Sequence, residues 1–172
     1  MNRYIVLLRG VNVSGKNKLP MKELRELLTS SGFQHVATYI QSGNIVLDSE
    51  YSTKEIELII TRLIKEKYGY DVPAFAYTVK DWKHIIKECP YEEVEKKVYF
   101  TFLDTEPEIK EIEVSMTETD EFTILNNMVY LYCLSYGKTK LSNNLFENKL
   151  KVRATTRNSR TVMKLFEMVT NL

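Results

Sequence analysis

Val36-Ala37-Thr38-Tyr39-Ile40-Gln41-Ser42-Gly43-Asn44-Ile45-Val46-Leu47 is the stretch that decides the fold. Two short runs rich in β-branched residues, Val36 to Ile40 and Ile45 to Leu47, flank Gln41-Ser42-Gly43-Asn44. The Ser-Gly or Gly-Asn centre of that tetrapeptide supplies the positive φ that a tight hairpin requires. The remaining elements of the first half arrange themselves around this hairpin. Upstream, Tyr4 to Val13 reads as a strand that is apolar on both faces, with Tyr4, Val6 and Leu8 on one side and Ile5 and Leu7 on the other, so it belongs in the middle of a sheet. A helix opens around Pro20, buries Met21, Leu24, Leu27 and Leu28, and ends at Gly32. Downstream, Ser52-x-x-Glu55 is a capping box that opens a helix with the apolar stripe Ile56, Ile59, Ile60, Leu63 and Ile64, and Gly69 lies just past its end. Val72 to Val79 is a fourth strand. The order β-α-β-β-α-β predicts a ferredoxin-like plait, in which the first and second strands run parallel with the third between them. It follows that the Gly10 to Lys18 loop, the Gln41 to Asn44 turn and the Tyr68 to Asp71 connection share one end of the sheet.

The second half repeats this pattern loosely. A helix spans Asp81 to Cys89, with Trp82, Ile85 and Ile86 on one face and Pro90 as its stop. Val98 to Leu103 reads as a strand, Pro107 to Val114 as a short helix, and Phe122 to Leu125 with Val129 to Cys133 as a hairpin through Asn126-Asn127. Helices are expected over Ser142 to Leu150 and Asn158 to Thr170, the latter capped by Asn158. The expectation is an α+β protein of duplicated ferredoxin-like halves with mainly antiparallel sheets. The halves are 1–79 and 80–172, packed as one compact unit, and a shared interface would explain the two apolar faces of the first strand.

With 172 residues, 44% of them hydrophobic and 11% aromatic, the chain can bury a core of ordinary size. No apolar run reaches the length of a signal-peptide core or a membrane span, and a cytoplasmic location is expected. Cys89 and Cys133 are isolated and read as buried free thiols, and with only His35 and His84 no metal site is expected. Net charge is +1 but uneven: residues 1–79 sum to +2, 80–121 to −7 and 122–172 to +6. Such asymmetry either steers an anionic partner to the C-terminal segment or lets surfaces of one molecule attract each other.

Three motifs carry a family resemblance. They are Leu7-Leu8-Arg9-Gly10-Val11-Asn12-Val13-x-Gly15-Lys16-Asn17-Lys18-x-Pro20-Met21-x-x-Leu24-Arg25, then Thr38-Tyr39-Ile40-Gln41-Ser42-Gly43-Asn44, and Thr156-Arg157-Asn158-x-x-Thr161-Val162-x-Lys164-Leu165. Together they make the chain resemble the bacterial family of unknown function numbered 1697 (DUF1697). The third motif departs at Ser159, where the family usually carries an aromatic residue. The resemblance spans nearly the whole chain and implies a duplicated ferredoxin-like fold; it implies no particular activity or cofactor.

Gly10 to Lys16 spells G-x-x-x-x-G-K, the phosphate-cradling P-loop, but Asn17 stands where that motif needs the hydroxyl that ligates magnesium. The expected helix also begins only at about Pro20, too late for its N-terminus to meet a phosphate held by the loop. A composite site is the stronger reading. Arg9, Gly10, Asn12, Gly15, Lys16 and Asn17 of the loop would meet Gln41, Ser42, Gly43 and Asn44 of the turn, combining charge with directional donors for a small anionic or nucleotide-like ligand. Arg157 and Asn158, at the start of the last helix, would add a second anion-binding corner. The same residues also read as a hydrogen-bonded network that holds the structure in register, with Asn12 and Asn17 satisfying their own backbone.

A nucleic-acid module is the rival from another class, using the basic residues Lys138, Lys140, Lys149, Lys151, Arg153, Arg157, Arg160 and Lys164 on a phosphate backbone. The central strands lack the exposed aromatics on which RNA-reading plaits stack bases. No residue set announces catalysis, so enzyme activity, oligomeric state and any catalytic residue stay open. A structural or interaction protein without a ligand is the third reading.

Overall fold

The computed structural model describes residues 1–115 and 119–171. The chain divides into two compact units, Met1–His84 with Lys164–Leu172, and Ile85–Met163.

In the first unit, β1 (Asn2–Leu8), α1 (Met21–Ser30), β2 (Gln34–Tyr39), β3 (Asn44–Ser49), α2 (Thr53–Tyr68) and β4 (Ala74–Thr78) follow in chain order, and α3 (Val79–Glu88) begins directly after β4. The sheet order is β2-β3-β1-β4 and every pairing is antiparallel, which is the ferredoxin-like arrangement. As its two apolar faces require, β1 is central: Tyr4 to Leu8 are each no more than 5% exposed. On one face, Tyr4, Val6 and Leu8 pack into a core with Leu24 and Leu28 of α1 and Ile56, Ile60 and Ile64 of α2. Ile5, Leu7, Val46, Phe75 and Tyr77, on the other face, are buried as well.

The helices follow their sequence signals. At the start of α2, Ser52 and Glu55 form the reciprocal capping box, and Gly69 closes the helix in the left-handed region at φ 75°. Helix α1 is flanked by Pro20 and ends through Gly32, whose φ of 98° lets Phe33 N–H reach back to Leu28. The first strand is shorter than its apolar pattern predicts. It stops at Leu8 because Gly10 and Asn12 take positive φ, and Val13 reappears only in an isolated bridge to Lys16.

The second unit contains β5 (Lys97–Leu103), β6 (Glu121–Leu125), β7 (Met128–Cys133), α4 (Asn143–Leu150) and β8 (Ala154–Asn158), and α5 (Ser159–Thr170) starts there. Its sheet order, β6-β7-β5-β8, reproduces that of the first sheet strand for strand. Leu103, Val129, Leu131, Phe146, Leu150 and Ala154 form its core. Two sequence expectations are corrected here. Residues 107–114 are irregular rather than helical: Glu106 stands before Pro107 in place of a capping Ser, Thr, Asp or Asn, and Ile109 is 46% exposed, so the few apolar residues bury no helical face. The missing edge strand is β8, written Ala-Thr-Thr-Arg-Asn, whose polar letters resemble a loop. Thr155 and Arg157 are nonetheless buried there, so the composition concealed the strand.

Candidate functional site

The Gly10 to Lys18 loop is a small ordered hairpin. Lys16 N–H donates to Val13 O at 2.9 Å and Asn12 N–H to Asn17 O at 3.1 Å. Ser14 and Gly15 lie between, both at positive φ (49° and 74°), the signature of a primed turn. The asparagines then tie this hairpin down. Asn12 Oδ1 accepts from Leu19 N–H at 2.8 Å while Nδ2 donates to Leu19 O at 2.9 Å and to Gln41 O at 2.7 Å. Asn17 Nδ2 donates to Gly10 O at 3.0 Å. Both asparagines sit at positive φ, which their short polar side chains tolerate better than most.

Three connections meet at this end of the first sheet, as the topology requires. Leu8 N–H bonds to Gly43 O at 2.8 Å, and Arg9 N–H bonds to Pro73 O at 3.0 Å. The Asn12 to Gln41 bond joins the loop to the β2–β3 turn. Arg9, Asn12, Lys16 and Asn17 therefore share a rim with Gln41, Ser42, Gly43 and Asn44.

The members of this rim are not equivalent. Asn44 is fully buried and holds the turn, its Nδ2 donating to Tyr39 O at 3.0 Å and to Ser42 Oγ at 2.9 Å. The close approach that Gly43 permits is to the protein itself: a Cβ there would lie 2.7 Å from Leu8 Cβ and 2.8 Å from Val11 Cγ2. Arg9 and Gly10 are half-buried at the root of the loop, whereas Gly15, Lys16 and Lys18 are exposed. The Lys16 and Lys18 ammonium groups make no ion pair or hydrogen bond among the described residues. Val13 (56% exposed) and Ile40 (51%) flank the Asn12 to Gln41 bond, and Ile40 holds φ 50°, a conformation β-branched residues rarely adopt.

The Tyr68 to Asp71 connection lies at this end as the sequence predicts, but Tyr68 and Tyr70 are not among the expected site residues. Their rings stack with centroids 5.8 Å apart and planes 16° from parallel, and both pack against the core cluster that includes Val11, Leu19 and Met21. Tyr68 Oη donates to Glu23 Oε2, in the first turn of α1, at 2.8 Å, and burial together with that carboxylate pushes its pKa up to about 12. The available signal was the Tyr-Gly-Tyr of the connection expected at this end of the sheet.

Arg157 and Asn158 belong to the second unit. Rather than opening the last helix, Arg157 lies within β8, 8% exposed, its Nη1 donating to Thr155 Oγ1 at 2.8 Å and to Thr156 O at 2.9 Å. Asn158 Oδ1 accepts from Thr161 N–H at 2.8 Å and caps α5, an ordinary use of asparagine at a helix start. At Ser159 the hydroxyl donates to Glu93 Oε1 at 2.6 Å.

Burial pushes the Cys133 thiol up to about 11 and raises Cys89, so neither is an activated nucleophile. His84 is exposed on α3. His35 lies inside β2 at a register shift, with φ 49°, and its Nδ1 is 2.8 Å from Asp48 Oδ2. The same carboxylate accepts from Arg3 Nε at 2.6 Å and Nη2 at 2.9 Å, and the Arg3 guanidinium holds it below its usual range, which weakens Asp48 as a base. Among the described residues no group of three histidine, cysteine or carboxylate side chains could hold a metal ion. Among them, too, no helix is long and apolar enough to cross a membrane.

Comparison with known proteins places this geometry in context. A solved conserved bacterial protein from Streptococcus pneumoniae is 24% identical and superimposes with a TM-score of 0.73 over 98% of this chain and 98% of its own, a likeness of fold. No curated protein matches the chain. The family described as "Protein of unknown function (DUF1697)" matches residues 1–130, three-quarters of the length, and includes both the loop and the turn that build the rim. The chain belongs to the DUF1697 family.

Proposed function

We propose that the rim formed by the Gly10 to Lys18 loop and the Gln41 to Asn44 turn binds a small anionic ligand of the phosphate-bearing class. The observation that supports this reading most is an internal comparison. In the second unit Leu103 N–H bonds to Asn127 O at 2.9 Å and Asp104 N–H to Arg153 O at 3.1 Å, the counterparts of the Leu8 to Gly43 and Arg9 to Pro73 bonds. The same sheet end is thus closed by the same backbone pattern, yet Asp104 replaces Arg9 and the following sequence carries Glu106, Glu108, Glu111 and Glu113 in place of Lys16 and Lys18. Cations at this end are therefore not a requirement of the scaffold.

Rigidity adds to the case. The asparagine hydrogen bonds fix the backbone of the loop, so binding has to order only the two lysine side chains and not the segment that carries them. Backbone held by the protein's own asparagines also frees the ammonium groups for a ligand. Binding of this kind requires no nucleophile, in keeping with the raised thiols. The two cysteines are free, and that suits a cytoplasmic setting, which is part of the proposal.

The nucleic-acid alternative, through the basic segment 138–164, is less well supported. Arg157 is buried within its own strand and Lys164 pairs with Glu167 at 2.9 Å, which removes two of its cations from free display. A thermal-shift series with phosphorylated small molecules tests the lead reading: the intact protein is stabilised, and Lys16→Ala with Lys18→Ala loses that response while its ligand-free melting temperature is unchanged.

A further inference from the structure

We infer that this rim meets the surface of a phospholipid bilayer, with its lysines on anionic headgroups and the side chains of Val13 and Ile40 inserted between them; this rests on the anion-binding reading above and names the bearer of the phosphate. The anion reading makes no use of Val13 and Ile40, and neither belongs to the buried core: Val13 is 56% exposed and Ile40 51%. Ile40 also holds φ 50°, where a branched Cβ crowds its own backbone and an asparagine would sit at lower cost. A side chain that is both strained and wetted gives the fold little in return for that cost. Contact with something outside the chain accounts for it.

Backbone pairing puts the apolar tips beside the cations. Val13 and Lys16 are partners in an antiparallel bridge, so their side chains leave the same face of the loop hairpin, with Cβ atoms about 5 Å apart. The amides of Asn12 and Asn17 turn the other way, onto Leu19, Gln41 and Gly10. Val13 follows Asn12 in the chain and Ile40 precedes Gln41, so the 2.7 Å bond between Asn12 and Gln41 has an exposed aliphatic residue next to each of its ends. Ser14, Gly15 and Gln41 around these tips are exposed and not apolar, which leaves a protein partner little continuous apolar area to bury. A bilayer needs no such match of shape: single aliphatic side chains enter the acyl boundary while neighbouring lysines stay among anionic headgroups. The Lys16 and Lys18 ammonium groups, with no ion pair among the described residues, have the charge that complements that surface.

Co-sedimentation of the full chain with vesicles of phosphatidylcholine alone, and of equimolar phosphatidylcholine and phosphatidylglycerol, tests this beside a thermal-shift titration with glycerol 3-phosphate, the soluble form of the headgroup. Binding is expected to the mixed vesicles and not to phosphatidylcholine alone. Ile40→Asn should weaken vesicle binding about tenfold through the lost apolar insertion, and Lys16→Ala about fivefold. Because asparagine tolerates the left-handed region, Ile40→Asn should melt no lower than the unaltered chain and keep its response to glycerol 3-phosphate. Should Ile40→Asn melt lower, Val13→Thr, which keeps the branched Cβ at an exposed position, gives the same comparison. A response to glycerol 3-phosphate without binding to mixed vesicles overturns the membrane inference and leaves the anion site standing; failure of both probes overturns both. Vesicle binding that is undiminished in Ile40→Asn and Val13→Thr, or as strong on phosphatidylcholine alone, also overturns the inference. So does self-association in the absence of lipid that either substitution abolishes, since it assigns the two residues to a protein contact.

Discussion

Asn12 Nδ2 donates to Gln41 O at 2.7 Å, and through this bond the loop after β1 is fastened to a turn 29 residues later. The same side chain also exchanges a pair of hydrogen bonds with the backbone of Leu19. Asn12→Ala removes all three interactions and leaves the Leu19 groups to find other partners. The expected cost is about 1–3 kcal/mol in a denaturant melt. Amide exchange should accelerate in residues 10–18 before it does in β1 or α2.

Gly43 is predicted to be intolerant of any side chain. It has a φ of 78°, and an added Cβ would approach Leu8 Cβ to 2.7 Å and Val11 Cγ2 to 2.8 Å. Both neighbours are fully or nearly fully buried, so neither can withdraw. Gly43→Ala should destabilise by about 2–4 kcal/mol, combining the left-handed backbone with overpacking. Gly15→Ala, with the same sign of φ but open space around it, should cost about 1 kcal/mol. The difference between the two melting curves measures the packing contribution.

The Arg3–Asp48 pair predicts a pH dependence of known sign. Asp48 in the folded chain titrates below the 3.8 of an ordinary carboxyl, chiefly because Arg3 hydrogen-bonds it, with His35 adding to the effect. A depressed folded pKa means the stabilisation is complete above the unfolded value and is lost as pH falls through the folded one. Stability should therefore decline below about pH 4 more steeply than in Asp48→Asn, and Arg3→Ala should flatten the same region. At pH 7 a double-mutant cycle on the pair is expected to give a coupling of about 2 kcal/mol, as for a two-point, largely buried guanidinium–carboxylate contact.

Asn158→Ala should lower stability by about 1 kcal/mol through loss of the α5 cap. Phosphate-ligand binding should be unchanged. A loss of binding without loss of stability would restore the anion-binding corner expected from sequence at this position.

Much of the architecture was legible because apolar spacing and punctuation agreed. Tyr4 to Leu8, apolar on both faces, announced a central strand. Ser52-x-x-Glu55 with Gly69 bracketed α2, and Gln41 to Asn44 marked the hairpin that sets the plait. What failed were segments whose letters contradict their environment. Thr155 and Arg157 are buried in β8 because hydroxyls and carbonyls in the strand satisfy the guanidinium, a compensation that periodicity does not register. Pro107 to Val114 looked helical from a few apolar letters but has no capping residue. At the rim, topology located the residues, whereas their roles depended on hydrogen bonds no sequence pattern specifies: Asn12, Asn17 and Asn44 serve the backbone, and Lys16 and Lys18 face solvent. His35 and Asp48 are 13 residues apart in the chain and meet only across the β2–β3 pairing.

The most direct measurement is a thermal-shift titration with a phosphate monoester on the unaltered chain and on the Lys16→Ala, Lys18→Ala double variant. Equal melting temperatures are expected without ligand, and a concentration-dependent rise only in the unaltered protein. A double variant that melts markedly lower on its own, or an unaltered protein that shows no rise with any phosphate-bearing compound, would contradict it and make the rim a purely structural fastening.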